Sequence, residues 1–486
     1  MNIEKLNTVK ELENWANSSA DMLALTTQHG PIQLEANLRH LPTRRLTCRA
    51  QWQNKRVIAK FFYGAGFKAL MFKEALMLQA LKKSSIKVPE LLHSEQHTDY
   101  GVLVIQYIEH VQTLSSFFWS QPEQAELETK LLAVTELVLL CQQAGFEIKD
   151  PHLDNFLCCQ GDVYLIDAGD IKKVKNKLSA QAAMQNLALF YAQLPVTLDQ
   201  QAYQLLTKML ESLADWNGLS EQSWRQALLK QRRWRQKRFI NKKVFRSCTA
   251  YICEQNTSRF LMAKRADYSE QMAVALSDPD KLIAKGRLLK DGATATVAQV
   301  EIAGQPYVLK RYNIKKPIHA LLRGFCWSRA AISWKNGLLL EMLGIPTAKS
   351  YAMIEERKGA LRRRSYLLSE YIDAPRAWDI YEDDQYDEEN KKQWAKKIYE
   401  LFLLLKLCQI SHGDLKAHNI LCSAEGAFFI DLDGLNAEQS FAGFWQQFKK
   451  DVGRFQISWP KKWKVNPYFS SFSDKLLADD LKLYKK

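Results

Sequence analysis

One short pattern occurs twice in this chain. Asp150-Pro-His-Leu-Asp-Asn155 sets an Asn five positions after an Asp, and the apolar run Val163-Tyr-Leu-Ile-Asp167 ends in a second Asp. His412-Gly-Asp414-Leu-Lys-Ala-His-Asn419 repeats the spacing, and Ala427-Phe-Phe-Ile-Asp431 closes it. In both copies 17 positions separate the outer acids (167 − 150 and 431 − 414). A kinase catalytic loop and its metal-binding strand have this layout. The chemistry accounts for the spacing. One carboxylate orients an attacking hydroxyl and takes its proton, while an Asn oxygen and a second carboxylate hold Mg²⁺ on nucleotide phosphates. A single D-x-x-x-x-N is commonplace, but two copies with a strand at the same offset constrain the fold.

The surrounding pattern repeats as well. Residues 44–52 and 56–62 read as a hairpin about Gln53-Asn-Lys55, followed by a helix over 66–83, strands near 91–95 and 102–108, and a helix over 123–144. The second half gives strands near 285–290, 295–302 and 306–311 with a turn at Ala303-Gly-Gln305, then a helix over 327–343. Strands near 349–354 and 365–371 and a helix over 388–409 complete it. At 486 residues the chain exceeds one core and suits two domains of roughly 200–250 residues. The expected fold is α+β: two tandem, bilobal kinase-like domains, 1–246 and 247–486, the second the catalytic one.

Within each copy the pattern nominates residues. Val57-Ile-Ala-Lys60 and Tyr307-Val-Leu-Lys310 each place a strand lysine to hold nucleotide phosphates, with Glu74 on the next helix as partner of Lys60. For Lys310 the helix partner stays open: Asn336 stands where Glu74 would align, and Glu341 lies more than a turn later. Lys290-Asp-Gly292-Ala-Thr-Ala-Thr296 offers a small-residue loop for close backbone approach to phosphate. The first copy has no glycine there and must use Arg44, Arg45 or hydroxyls. Asp414 and Asp150 are the expected bases, and Lys416 is placed to neutralise the transferred group, with His152 at its offset in the first copy. Asn419 with Asp431, and Asn155 with Asp167, are the expected Mg²⁺ ligands. His412 is expected to make a structural hydrogen bond, and Ile148 replaces it in the first copy. Asp154, Asp170 and Asp433 are neighbouring acids without an assigned role.

A formal charge of +15 suits an anionic partner such as a phosphorylated glycolipid, an acidic membrane surface or nucleic acid. Charge alone does not choose among such partners. The basic run 230–246 reads either as the solvated face of a helix or as a patch for acidic lipid with Trp234 and Phe239 at the interface. Nine cysteines without a C-x-x-C pair read as free thiols in a reducing compartment. The N-terminal residues lack the apolar core of a secretory leader, and the longest apolar runs, 131–141 and 401–405, are too short to span a bilayer.

With these residues in place, the chain resembles the bacterial lipopolysaccharide core kinases, the InaA/WaaP-like group of Kdo and heptose kinases. The likeness rests on Val308-Leu-Lys310-Arg-Tyr, Gly344-Ile-Pro-Thr347, Ser411-His-Gly-Asp414-Leu-Lys-Ala-His-Asn419-Ile-Leu, Phe429-Ile-Asp431-Leu-Asp433 and Lys450-Asp-Val-Gly-Arg454-Phe. Lys149-Asp-Pro-His-Leu-Asp-Asn-Phe156 and Ile166-Asp-Ala-Gly-Asp170 look like the divergent partner domain of tandem members. The resemblance implies ATP-dependent, Mg²⁺-assisted phosphorylation of an inner-core sugar hydroxyl, most simply on heptose. It also implies a cytoplasmic protein, peripheral on the inner membrane, with lipopolysaccharide core as acceptor and no nucleic-acid partner. A protein kinase and a pseudokinase-type regulatory module in envelope assembly are the alternatives. Against the first, no D-F-G or A-P-E is present and little chain follows Asp431 to form an activation segment. Against the second, both halves keep the Lys, Asp, Asn and Asp set.

Overall fold

Along strand Arg45–Trp52 every second side chain, Leu46, Cys48, Ala50 and Trp52, is buried, as a half-buried strand requires. Its partner Lys55–Tyr63 returns through a turn in which Gln53 and Asn54 both have positive φ, 50° and 57°. That two-residue turn matches strand twist and fixes the register. The same device recurs at Ala303 and Gly304, between strands Ala295–Ile302 and Gln305–Tyr312. These elements belong to a computed structural model that describes residues 4–5, 8–18, 23–159, 161–210, 220–313, 327–359, 361–383, 385–459 and 466–478. The chain divides into two compact units, Met1–Leu194 with Leu198–Gln231, and Pro195–Thr197 with Arg232–Lys486. The packing division thus falls inside helix Glu221–Phe239, ahead of the expected 246/247 boundary. Phe239, Ile240 and Val244 pack into a core cluster with Tyr251, Phe260 and Trp334. The helix widens to π geometry over Ile240–Val244, where the Trp334 indole N–H donates to the Val244 carbonyl at 3.0 Å.

In the first unit, a seven-stranded sheet runs in the order Glu4–Lys5, Leu23–Thr27, Gly30–Leu41, Arg45–Trp52, Lys55–Tyr63, Tyr100–Gln106, Leu91–Gln96. Helix Phe67–Lys83 packs on it through Phe67, Met71, Glu74, Ala75, Leu78 and Leu81, the spacing of one helical face. Helix Gln124–Gln143 carries the second core, and the short ladders Phe146–Ile148 with Ile171–Lys173 and Phe156–Cys159 with Asp162–Leu165 frame the segment between.

The second unit repeats the inner five strands, but its two extra strands join at the opposite edge, beside Ser350–Lys358. Its seven-stranded sheet runs Tyr251–Gln255, Arg259–Lys264, Ser350–Lys358, Leu361–Glu370, Gln305–Tyr312, Ala295–Ile302, Arg287–Asp291. Helix Arg329–Met342 begins at a Ser328 cap, whose hydroxyl accepts from the Ala331 N–H at 3.1 Å. Helix Glu388–Cys408 precedes the hairpin Ile420–Cys422 with Ala427–Phe429, and helix Phe441–Ile457 follows.

Each sheet is larger than the sequence pattern suggests. Strand Gly30–Leu41 buries little besides Ile32 and Leu34, and register shifts at Leu34/Ala36 and Asn37/Arg39 break its alternation. Hairpin Tyr251–Gln255 with Arg259–Lys264 and helices Glu270–Ser277 and Pro279–Lys285 likewise precede the strands read from sequence in the second half. Free cysteines are dispersed through both units, and Cys248 and Cys253 are among them. No helix among the described residues is long and apolar enough to cross a membrane.

Candidate active site

The geometry of the second unit starts at Gly413. Its φ is +85°, and a Cβ there would meet the Gly434 carbonyl oxygen at 2.3 Å, so only glycine lets the loop cross that chain. The buried Asp451 carboxylate receives the backbone N–H groups of His412 (2.8 Å) and Gly413 (3.1 Å), tying the loop to helix Phe441–Ile457. Burial raises the Asp451 pKa, with the Gly413 N–H opposing. The expected hydrogen bond at His412 therefore runs from its backbone. Its buried ring packs on Phe429 at 5.3 Å, and burial pushes the imidazole pKa down against Asp451. In the first unit the same station is filled by an amide: buried Asn186 donates to the Ile148 carbonyl at 2.7 Å. The offsets from the loop acid, 36 (186 − 150) and 37 (451 − 414), are a sequence signal that could have exposed this pair.

Beyond this support, both loops place the Asn alike. Asn419 Nδ2 donates to the Asp414 carbonyl at 2.8 Å, and Asn155 Nδ2 to the Asp150 carbonyl at 3.0 Å. The amide nitrogen is thereby spent on the loop, and the side-chain oxygen is the atom that remains for a cation. Asp431 and Asp167 both adopt left-handed backbone, φ 63° and 61°. Such a conformation is costly for a non-glycine residue and is kept at sites that need it.

Lys310 Nζ lies 2.6 Å from Asp431 Oδ1. Burial opposes the charge on Lys310, but Tyr312 and Asp431 outweigh it and leave the pKa above its ordinary value. Asp431 is shifted down: burial opposes ionisation and the Lys310 charge prevails. Arg329 pairs with Asp433, and the buried ring of Tyr312 sits under both cations, 4.9 Å from Lys310 and 4.8 Å from Arg329. Neither Asn336 nor Glu341, between which the sequence left the helix partner open, pairs with Lys310. Asn336 Nδ2 donates to the Leu432 carbonyl at 2.8 Å, and Glu341 pairs with Lys264 at 2.6 Å. Asp414 and Lys416 form a half-exposed pair at 2.7 Å. Gly292 closes a turn, its N–H on the Ala295 carbonyl (3.1 Å) and its carbonyl on Asn313 (3.0 Å). Its backbone is thus used within the loop. Sequence reasoning named neither Arg329, which follows a plain Ser cap, nor Tyr312, which reads as an ordinary strand aromatic.

The oxygen donors suit a hard divalent cation in this unit. Burial and the neighbouring Asp431 charge raise the Asp433 pKa, so two carboxylates crowd one another, and the Ile430 N–H on the Asn419 carbonyl (3.0 Å) ties the loop to the strand that precedes them. A cation with a preference for oxygen ligands relieves that repulsion.

The first unit differs. Lys60 meets Glu74 at 2.5 Å, the helix partner expected for it, and lies 3.7 Å from Asp167. Arg45 approaches Asp167 at 3.3 Å and Glu74 at 3.7 Å, and Arg39 reaches the other Asp167 oxygen at 3.8 Å. Burial opposes ionisation of Asp167, but Lys60 and Arg45 hold its pKa down. Gly169 stands where the second unit has Asp433, and the Glu74 carboxylate lies against it instead. An oxygen site already ringed by three cations does not fit Mg²⁺ as the pattern Asn155 with Asp167 suggests. Asp150 is exposed, and His152 pairs with Asp154 at 3.1 Å.

Residues 287–462 match the lipopolysaccharide kinase (Kdo/WaaP) family. No curated protein sequence matches the chain. Among solved structures, WaaP in complex with acyl carrier protein aligns at 13% identity and TM-score 0.28, covering 37% of this chain and 84% of that one. The matched segment contains Lys310, Asp414, Asn419 and Asp431, and over these residues the chain is similar to a family of lipopolysaccharide kinases, which are phosphotransferases.

Proposed function

We propose that the second unit transfers the γ-phosphoryl group of ATP to a sugar hydroxyl of the lipopolysaccharide inner core, with heptose as acceptor. The observation that carries this reading is the convergence of Lys310, Asp431, Asn419 and Asp414 in the family-matched segment. Asp414 takes the proton of the attacking hydroxyl. Its half-exposed pairing with Lys416 is screened by solvent, so it can exchange that partner for substrate with little loss. Lys416 then lies beside the transferred group as a positive charge. Lys310 holds the phosphates, and Tyr312 and Arg329 hold Lys310 and Asp433 in place. Asn419 and Asp431 are the residues that would hold Mg²⁺, which would supply charge neutralisation at the phosphates. Positioning and fixed charge supply the catalysis, since phosphoryl transfer asks little covalent chemistry of the protein.

The shared element order and loop geometry support reading both units as kinase-like, the first a divergent copy whose Lys60, Glu74, Asp150, Asn155 and Asp167 occupy matching stations. We place the protein on the cytoplasmic face of the inner membrane. Of the basic run, Lys230, Lys237 and Arg238 are exposed and can face anionic lipid, with Trp234 beside Arg238 at 5.2 Å, whereas the Arg233 guanidinium donates to Gln409 at 2.6 Å. Arg232 is buried and Phe239 packs into the core cluster, so these two belong to the fold.

Purified protein given γ-labelled ATP and lipopolysaccharide should label the core oligosaccharide. Label appearing only on added protein, with none on the glycolipid, would instead favour the protein-kinase alternative.

A further inference from the structure

The two sheets align residue by residue around their lysines. Lys60 pairs with Thr47, which pairs with Arg39, and Phe62 pairs with Arg45. In the second unit Lys310 pairs with Val297, which pairs with Lys290, and Tyr312 pairs with Ala295. Arg45 therefore stands where the second unit has the methyl group of Ala295, and Arg39 where it has Lys290. Cross-strand partners and residues two apart share a sheet face, so Arg39, Arg45, Thr47 and Lys60 form one cluster of side chains. The register shift at Asn37/Arg39 re-aims the edge strand there, a common use of such irregularities beside sites.

Counted over side chains in ion-pair contact, which exposed Lys290 does not enter, the charge balance differs. In the second unit, Lys310 and Arg329 face Asp431 and Asp433, a formal sum of zero (+2 − 2). In the first, Arg39, Arg45 and Lys60 face Glu74 and Asp167, a sum of +1 (+3 − 2). Neither arginine is tightly bound by these acids. Arg45 donates to Asp167 at 3.3 Å, and Arg39 stands 3.8 Å off and 59% exposed at the mouth of the cluster. A guanidinium carries five donors and prefers paired anionic oxygens. The loop itself is spent: the Thr43 N–H donates to Glu13 at 2.7 Å and the Arg44 N–H to the Leu41 carbonyl at 3.1 Å. Gly64 lies so close to the Thr43 carbonyl that a Cβ would sit 2.2 Å from it, which pins the loop. Anion recognition in this unit falls on side chains.

We propose that the first unit binds the triphosphate of a nucleotide without a divalent cation, the guanidinium of Arg45, assisted by Arg39, occupying the place the metal takes in the second. The surplus positive charge and the loose guanidinium contacts are the vacancy a triphosphate fills. Lys60, oriented by Glu74, contacts the same phosphates. This binding is separate from phosphoryl transfer by the second unit.

The test is calorimetric titration of the full-length chain with ATP, in EDTA and in Mg²⁺. In EDTA the wild type should bind one equivalent. Arg45→Ala should weaken that event by at least about tenfold, the loss of a charge-assisted hydrogen bond, while Lys310→Met leaves it intact. Arg45→Lys, which keeps the charge, should retain most of it and guards against misfolding of the alanine variant. In Mg²⁺ a second event should appear that Lys310→Met removes and Arg45→Ala spares. Absence of binding in EDTA, or EDTA binding that Arg45→Ala leaves unchanged, overturns the proposal. Neither result bears on labelling of lipopolysaccharide by the second unit, which is read separately.

Discussion

Asp414→Ala should lower phosphoryl transfer on the order of 10²–10⁴-fold while ATP binding persists, the range for removing a general base. The geometry separates the two effects. Asp414 pairs with half-exposed Lys416 and takes no part in the Lys310–Asp431 contact that would hold phosphates. Its backbone carbonyl still receives Asn419, so the loop shape should survive the side-chain change. Steady-state turnover with lipopolysaccharide, beside equilibrium binding of a fluorescent ATP analogue, checks both halves. Full turnover in the variant would remove Asp414 from the reaction.

Asp431→Ala should act earlier, on nucleotide binding. Lys310 loses its 2.6 Å partner inside a partly buried site, and the crowded carboxylates lose the member shifted furthest toward ionisation. Charge-assisted contacts of this kind contribute about 1.5–3 kcal/mol, so Mg·ATP affinity should fall by about 10–150-fold. The pH dependence has a fixed sign. Lys310 holds the folded Asp431 pKa below the ordinary 3.8, so the pair's contribution is present above that value and lost as pH falls through the lower folded value. Asp431→Asn should therefore flatten acid unfolding below about pH 4. An unchanged acid limb together with unchanged Mg·ATP affinity would show that Asp431 is neither paired nor a ligand.

Much of this site was legible before any coordinates, because spacing encodes it. An Asn five residues after an Asp, with a strand ending in Asp at a fixed offset, gives Asp414, Asn419 and Asp431 their neighbourhood regardless of what surrounds them. The two-residue turns at Gln53-Asn54 and Ala303-Gly304 were legible for a similar reason, since local backbone chemistry sets them. What escaped depends on register and on charges brought from elsewhere. The edge strand Gly30–Leu41 is irregular and mostly exposed, so its alternation gives no clear strand signal, and Arg39 could not be aligned with Lys60. Arg45 was named only as one of several substitutes for a missing glycine; its alignment with Ala295 needs two sheet registers. The helix partner of Lys310 stayed open in the sequence; Asn336 spends its amide on the Leu432 and Leu435 carbonyls, and Lys310 pairs with Asp431. Asp451 lay inside a motif already noted, yet its role in holding the loop is a backbone contact that residue types do not reveal.

The central claim is that this chain phosphorylates a sugar of the lipopolysaccharide core through its second unit. Mass spectrometry of core oligosaccharide from a bacterium lacking the gene tests it most directly, with wild type or Asp414→Asn returned on a plasmid. The account predicts a core short of a single phosphate, mapped to one heptose by fragmentation, restored by wild type and not by Asp414→Asn. A core unchanged by the deletion, or one restored equally by both genes, would contradict it.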